Sequence, residues 1–332
     1  MTEKTTTTGT NGANGTAEGY DAVVVGAGAA GLNAALVLGR ARRRVAVVDA
    51  GEPRNAPAAH MHGFLSREGM PPAALLAVGR EEVARYGVHL IDGRVEHVER
   101  AGPAEPGFVV RLAGGPVLHA RRLVVATGLR DGLPDLPGLA ERWGRDVLHC
   151  PYCHGWEVRD RPLGVLGTGP GAVNQALLLR QWSDDVVLLA HTLEPTAAER
   201  ERLAARGVRV VEGRIVRVVA DDGRLRGVEL DTGRVVTREA VFVAPRPVPR
   251  DALLLGLDCA RDDDGWVTTD RTGRTSVPGV WAVGNVADPR AQVVVAAGAG
   301  AAAAFALDHD LVDEEIGRAV ALCRASGPAL PV

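Results

Sequence analysis

The sequence predicts an α/β protein of two Rossmann-like dinucleotide-binding domains, one split into two segments and the other inserted between them. Three observations predict it. A glycine fingerprint, Gly26-Ala27-Gly28-Ala29-Ala30-Gly31, follows an apolar run and opens a helical stretch. A second small-residue turn, Gly167-Thr168-Gly169-Pro170-Gly171-Ala172, repeats the pattern later in the chain. A cysteine pair, Cys150-Pro151-Tyr152-Cys153, lies between the two. A C-x-x-C pair can be a metal knuckle, a structural disulfide or a redox dithiol, and two flanking nucleotide folds favour the third.

Composition sets outer limits. The chain has 332 residues, 46% hydrophobic and 24% charged, which suits a soluble globular protein of about two domains. A net charge of -3 gives no basic field for nucleic acid or an anionic membrane. Lys4 is the sole lysine, which leaves little room for Schiff-base chemistry. Only four cysteines occur, which excludes a secreted disulfide scaffold and suits a reducing cytoplasm. No uninterrupted apolar run reaches membrane-spanning length. Residues 1–18 are rich in Thr, Gly and Asn, lack the apolar core of a signal peptide, and read as a disordered tail.

The first ordered segment is Tyr20-Asp21-Ala22-Val23-Val24-Val25, a β-rich run that enters the first fingerprint. A helix over about Leu32 to Arg42 and a strand, Arg44 to Asp49, complete a βαβ unit. Gly26 permits the tight turn, Gly28 lets backbone approach a pyrophosphate, and Gly31 allows close helix–strand packing. Helix amides then face the phosphates, and Asp49 can accept from a ribose hydroxyl.

Leu123 to Val125 reads as a strand ending in the small turn Ala126-Thr127-Gly128. The second unit runs through Pro162 to Leu166, its fingerprint, a helix over about Val173 to Trp182, and the strand Asp185 to Ala190. The residues next in the chain are His191-Thr192-Leu193, with no acid for a ribose diol and no arginine pair for a 2′-phosphate. Either the nicotinamide site is weakened or lost, or other groups read the nucleotide. Val280-Trp281-Ala282-Val283-Gly284-Asn285 is a further strand and turn, followed by a small-residue helix around Val293 to Leu307. Chain crossings are expected near Gly132-Leu133-Pro134 and Pro245 to Arg250, where proline density rises. The expected layout is residues 19–133 and 251–318 as one domain, 134–250 as the inserted domain with the C-x-x-C, and 319–332 as a C-terminal tail.

Over about Tyr20 to Arg318 the chain resembles the low-molecular-weight thioredoxin reductase family of flavoproteins. The motifs carrying the resemblance are Gly26 to Gly31, Asp49, Ala126-Thr127-Gly128, Cys150 to Cys153, Gly284-Asn285 and Gln292 to Gly300. The resemblance implies an FAD domain in two segments, an inserted NADPH-type domain and a homodimer. It implies that Asp49 holds the adenosine ribose, that Gly284-Asn285 contacts the ribitol, and that backbone amides at Gln292 and Val293 face the flavin pyrimidine. It also implies that Cys153 lies against the flavin while Cys150 meets substrate.

Three departures redirect the reading. His154 stands where thioredoxin reductases carry an acid, His191-Thr192-Leu193 replaces their His-Arg-Arg run, and Gly284-Asn285 replaces Gly-Asp. The first two weaken NADPH use and a thioredoxin substrate. The stretch Cys150-Pro151-Tyr152-Cys153-His154-Gly155-Trp156-Glu157 is instead similar to a branch containing the dithiol oxidases of gliotoxin and holomycin biosynthesis. Those enzymes close a disulfide in a small molecule and pass electrons through FAD to oxygen. The alternative is an NADPH-dependent thioredoxin-type disulfide reductase.

Local chemistry agrees with an oxidase. Pro151 suits the first position of a short helix with Cys150 as its N-cap, where a thiolate is stabilised. His154 can take a proton from an incoming thiol. Other readings of neighbouring residues remain: His149, Cys150, Cys153 and His154 as a zinc site, His60 and His62 as metal ligands, and Tyr152 and Trp156 as packing rather than pocket wall. Cys259 and Cys323 read as inert.

Overall fold

The structure, a computed structural model, describes residues 19–102 and 106–326. The expected N-terminal tail, 1–18, lies outside the described residues, as do residues 327–332. The chain begins with β1 (Tyr20–Val25), α1 (Ala29–Arg40), β2 (Val45–Asp49), α2 (Pro72–Ala84) and β3 (His89–Asp92). Next come β4 (Val95–Arg100), β5 (Phe108–Leu112), β6 (Val117–Val125) and β7 (Leu129–Gly132). The second sheet region holds β8 (Val147–Leu148), α3 (Pro151–His154), β9 (Leu163–Leu166), α4 (Gly171–Leu179), β10 (Val186–Leu189), α5 (Ala197–Ala205) and β11 (Arg209–Val211). There follow β12 (Ile215–Asp221), β13 (Arg224–Leu230), β14 (Val235–Thr237), β15 (Ala240–Phe242) and β16 (Arg246–Pro249). The chain closes with α6 (Ala252–Gly256), β17 (Val280–Ala282) and α7 (Val293–Ala325).

The first sheet has seven strands, with β3, β2, β1, β6 and the late strand β17 parallel and β5 and β4 antiparallel at one end. Strand β17 pairs Val280 with Leu123 and Ala282 with Val125, so the last part of the chain returns to the first sheet. The second sheet orders its strands β11-β10-β9-β15-β8, all parallel, beside an antiparallel layer of β12, β13 and β14. Parallel strands are covered on both faces, which explains why β1, β2, β9 and β10 read as near-continuous apolar runs. Val23 and Val25 face one core cluster while Ala22 and Val24 face another. The sequence-predicted pair of nucleotide folds is the observed architecture.

Among the described residues, strands β7 and β16 pair only with each other, Gly132 opposite Arg246 and Leu129 opposite Pro249. This ribbon carries both crossings between the two sheets. The proline-rich crossing is therefore a strand, not a loop; an edge strand tolerates Pro247 and Pro249 because their missing N–H groups need no ladder partner.

Helix α7 extends far beyond the expected end near Leu307 and past Arg318, where the C-terminal tail was expected to begin. Its first half packs on α1 at backbone distance: a Cβ at Gly300 would collide with the Ala30 carbonyl, and Asn33 donates to the Ala297 carbonyl at 2.6 Å. Its second half is held by ions. Arg43 pairs with Asp308 and Glu315, and Arg122 pairs with Asp310 and Glu314. Part of α7 is long and apolar enough to cross a membrane, but Ala303, Ala304, Leu307 and Leu311 are buried within the fold.

Candidate active site

The three small-residue turns and the dithiol converge on one cavity of about 1340 Å³. Its wall includes Gly26, Gly28, Asp49, Ala126, Thr127, Gly128, Cys150, Cys153, His154, Gly284, Asn285, Gln292 and Val293. Gly31 is not on that wall; it lies beneath the fingerprint loop, where its Cβ would strike the Gly26 carbonyl. Gly26 has φ +104 and no room for a Cβ against the Ala126 carbonyl. Gly28 caps α1, and a Cβ there would meet no protein atom within 4 Å, so the loop is open toward the cavity. This is the cradle a dinucleotide pyrophosphate needs. The cavity exceeds the ~300–1,000 Å³ of ordinary small-ligand sites, in keeping with a dinucleotide.

Asp49 sits at the end of β2 with Oδ1 accepting from the Ala27 amide at 3.0 Å. Arg80 of α2 approaches Oδ2 at 3.2 Å and also pairs with Asp92. Sequence reasoning missed Arg80, because nothing in the spacing of α2 marks which residue reaches the strand ends. The Thr127 hydroxyl donates to the Arg250 carbonyl at 2.6 Å, so it fastens the return crossing.

At the other end of the cavity, Gly284 takes φ +73 and leads to Asn285. Asn285 Nδ2 donates to the Asp288 and Ala291 carbonyls, both at 2.9 Å, while Oδ1 accepts from Arg54 at 3.2 Å. A carboxylate there would face two carbonyl oxygens, which explains the Gly-Asn form of the turn. The turn delivers Gln292, the N-cap of α7, and Val293, its first residue. No side chain caps that helix end, and its positive pole faces the cavity. Arg54, also missed from the sequence, pairs with Asp131 of β7 at 2.7 Å. It ties the loop after β2 to the crossing ribbon.

Cys150 and Cys153 form a disulfide with Cα atoms 5.2 Å apart. Pro151 opens α3 and Cys150 is its N-cap, as the sequence predicts; the Cys153 and His154 amides both donate to the Cys150 carbonyl at 3.1 Å. Cys153 faces inward, with Gln292 Nε2 3.8 Å from its sulfur. His154, at the end of α3, is half-buried. Burial pushes its pKa below the ordinary histidine value, the Glu157 carboxylate opposes that shift, and His62 adds to it. His149 is likewise held low by burial, against a backbone hydrogen bond to Val243.

Among the described residues, no three His, Cys, Asp or Glu side chains group to hold a metal ion. His60 and His62 both line the cavity. Tyr152 lines it too, its ring edge-on to Trp182 at 5.7 Å, while Trp156 lies outside under the Arg159 guanidinium. Cys259 is buried, with its thiol pKa raised by burial, and Cys323 is exposed on α7. At the second fingerprint the His191 ring is occupied, Nδ1 accepting from the Ile215 amide at 3.0 Å. Arg200 pairs with Glu212 and Arg202 with Asn174, which leaves Arg214 as the cation whose charge acts on His191.

The family profile of pyridine nucleotide-disulphide oxidoreductases matches residues 20–301. The chain belongs to that family. Within it, the sequence is 33% identical over 316 residues to thioredoxin reductase sirT of Leptosphaeria maculans, covering 86% of this chain and 92% of that protein. It is 32% identical over 277 residues to thioredoxin reductase tcpT of Claviceps purpurea, covering 80% and 86%. Among solved structures, HlmI is 64% identical with a TM-score of 0.90, covering 93% of this chain and 97% of that one. As a member of the pyridine nucleotide-disulphide oxidoreductase family, the protein is a flavin-dependent thiol–disulfide oxidoreductase with FAD as its cofactor. The residues of the cavity fit that group: an open glycine cradle, a carboxylate at the end of β2, and an uncapped helix N-terminus beside a disulfide.

Proposed function

We propose that the protein is an FAD-dependent dithiol oxidase that closes an intramolecular disulfide in a small molecule of natural-product type. The observation that carries this reading is the position of the Cys150–Cys153 disulfide, opening on the same cavity as the glycine cradle with the half-buried His154 imidazole beside it. Its resemblance to the dithiol-oxidase branch and its likeness to HlmI support it. FAD, when bound, accepts an electron pair from a thiolate and delivers it to oxygen.

The chain's own groups do the rest. His154 takes the proton of the first substrate thiol. The thiolate attacks Cys150 Sγ; a mixed disulfide forms and the bond to Cys153 breaks. The second substrate thiolate attacks the mixed disulfide, the cyclic product leaves, and Cys150 holds the displaced electron pair. Cys153, facing inward beside Gln292, would pass the electron pair to bound FAD as Cys150 Sγ closes on it and the Cys150–Cys153 disulfide re-forms. Gly26, Gly28 and Gly31 shape the cradle for the pyrophosphate, Asp49 would hold the adenosine ribose, and the Ala126-Thr127-Gly128 turn flanks the cradle. Gly284 and Asn285 would border the ribitol, and the Gln292 and Val293 amides would face the pyrimidine, as the family resemblance implies; all four line the cavity.

Supplied with a small aliphatic dithiol in air, the enzyme is expected to yield one peroxide per substrate disulfide. NADPH is expected to bleach the flavin at least about 10-fold more slowly than the dithiol, because no paired arginines await a 2′-phosphate at His191. Consumption of a disulfide driven by NADPH, without peroxide from dithiols, returns the protein to the reductase class.

His154 gives the pH dependence. The base form is the neutral imidazole, and burial lowers its pKa. The neutral form therefore persists to lower pH, and the acid limb of the dithiol half-reaction is expected below about pH 6.5. His154→Ala should slow that half-reaction by about 10²–10⁴-fold and remove the acid limb. Stopped-flow reduction across pH checks both; an unchanged limb in the variant rules His154 out as the base.

The second segment of the first fold is taken to begin at 251, with 134–250 as the inserted domain. The enzyme is further inferred to act as a cytoplasmic homodimer. Exposed Phe305, Val312, Ile316 and Val320 leave an apolar stripe along α7, which a second copy would cover. Sedimentation at micromolar concentration checks the dimer.

A further inference from the structure

His62 lies in the loop after β2, far from the dithiol in sequence, yet it sits over the dithiol helix. Its ring is edge-on to His154, with centroids 6.2 Å apart. Its Nδ1 is 2.6 Å from Glu68 Oε1, and Glu68 Oε2 is fixed by the Gly63 amide at 2.8 Å. The contact with His62 holds the Glu68 carboxyl below its usual range, so it is ionised. An ionised carboxylate on Nδ1 fixes the tautomer, with the proton on Nδ1 and the free lone pair on Nε2. That Nε2 faces Glu157 Oε1 at 3.5 Å, and Glu157 also acts on His154. The side chain is 17% exposed, which gives the ring a route to water.

Resting on the dithiol-oxidase reading, we propose that His62, oriented by Glu68, is the proton outlet of His154. Disulfide formation removes two protons from substrate, and one imidazole cannot hold both. The first thiol proton goes to His154 as the substrate–Cys150 bond forms and the Cys150–Cys153 bond breaks. His154 then passes that proton to His62, and so regains its lone pair. The second thiol proton goes to His154 as the substrate disulfide closes and the Cys150 bond breaks. Cys150 Sγ takes one proton back, and the other leaves through His62 to water; Cys153 keeps the electron pair. His62 acts through His154 and does not touch the reacting sulfurs, so it is a positioning and relay residue. The charged and titratable groups facing the pair are Glu68 on the His62 loop, and Glu157 beyond α3.

The test uses the FAD-loaded enzyme mixed anaerobically with dithiothreitol, following flavin bleaching and one equivalent of oxidised dithiothreitol across pH. His62→Gln keeps a hydrogen-bonding side chain but carries no proton. It is expected to slow the half-reaction by about 10-fold or more, and added imidazole buffer should restore the rate in proportion to its concentration. Wild type should show no such buffer dependence. Glu68→Gln, which frees the ring without removing it, should shift the pH profile and show partial buffer rescue. A His62→Gln enzyme with wild-type rate, unchanged pH profile and no buffer dependence overturns the relay and leaves the oxidase reading standing. Failure of dithiothreitol to bleach the wild-type flavin overturns both.

Discussion

Cys153→Ser is expected to cut turnover by at least about 10³-fold while leaving a protein that still captures small disulfides. The inward sulfur beside Gln292 is lost, and with it the thiol that hands electrons to the cofactor in the proposed mechanism. Cys150 remains at the N-cap of α3 as a free thiol and forms mixed disulfides. Cys150→Ser should lose as much turnover and also lose the capture. Intact-mass measurement after exposure to a small disulfide separates the two: one adduct at the α3 cysteine for Cys153→Ser, none there for Cys150→Ser. Either variant turning over within about 10-fold of wild type would falsify the dithiol relay.

Gly31→Ala should yield protein that folds poorly around its cofactor. The added Cβ collides with the Gly26 carbonyl and presses on Val24, so the helix must move off the strand that supports the cradle. Overpacking of this kind costs about 1–3 kcal/mol, which corresponds to roughly 5- to 150-fold weaker FAD retention. Wild-type protein should be yellow, and FAD should appear on chromatography after denaturation. The variant should hold a small fraction of that FAD and melt at lower temperature. A variant with full FAD content and an unchanged Tm means the cradle does not need the close helix–strand approach.

Features encoded by short spacing were legible in the sequence. The glycine fingerprint, the strands on both sides and Asp49 lie within one βαβ unit, and the structure assembles them as that unit. Pro151 at the first helical position and Cys150 at the cap were legible for the same reason. What stayed hidden depends on contacts across long stretches of chain. His62 meets His154, and Arg54 meets Asp131 and Asn285, through loops whose course no periodicity records. The length of α7 was hidden because its second half is rich in acids and exposed apolar residues. Its partners, Arg43, Arg121 and Arg122, lie on distant segments, so the helix looks unsupported until they are seen beside it.

The pairing of β7 with β16 means that the chain leaves the first sheet and comes back to it through one narrow gate. Gly132 and Arg246 stand opposite each other there, so the intervening stretch begins and ends at a single point in space. Such a stretch behaves as a cassette: its two ends are already adjacent, and a short turn can bridge them. Residues 133–245 could thus be excised and replaced by a tight hairpin linking Gly132 to Arg246. The remainder would keep all the strands of its seven-stranded sheet and the full interface of α1 with α7.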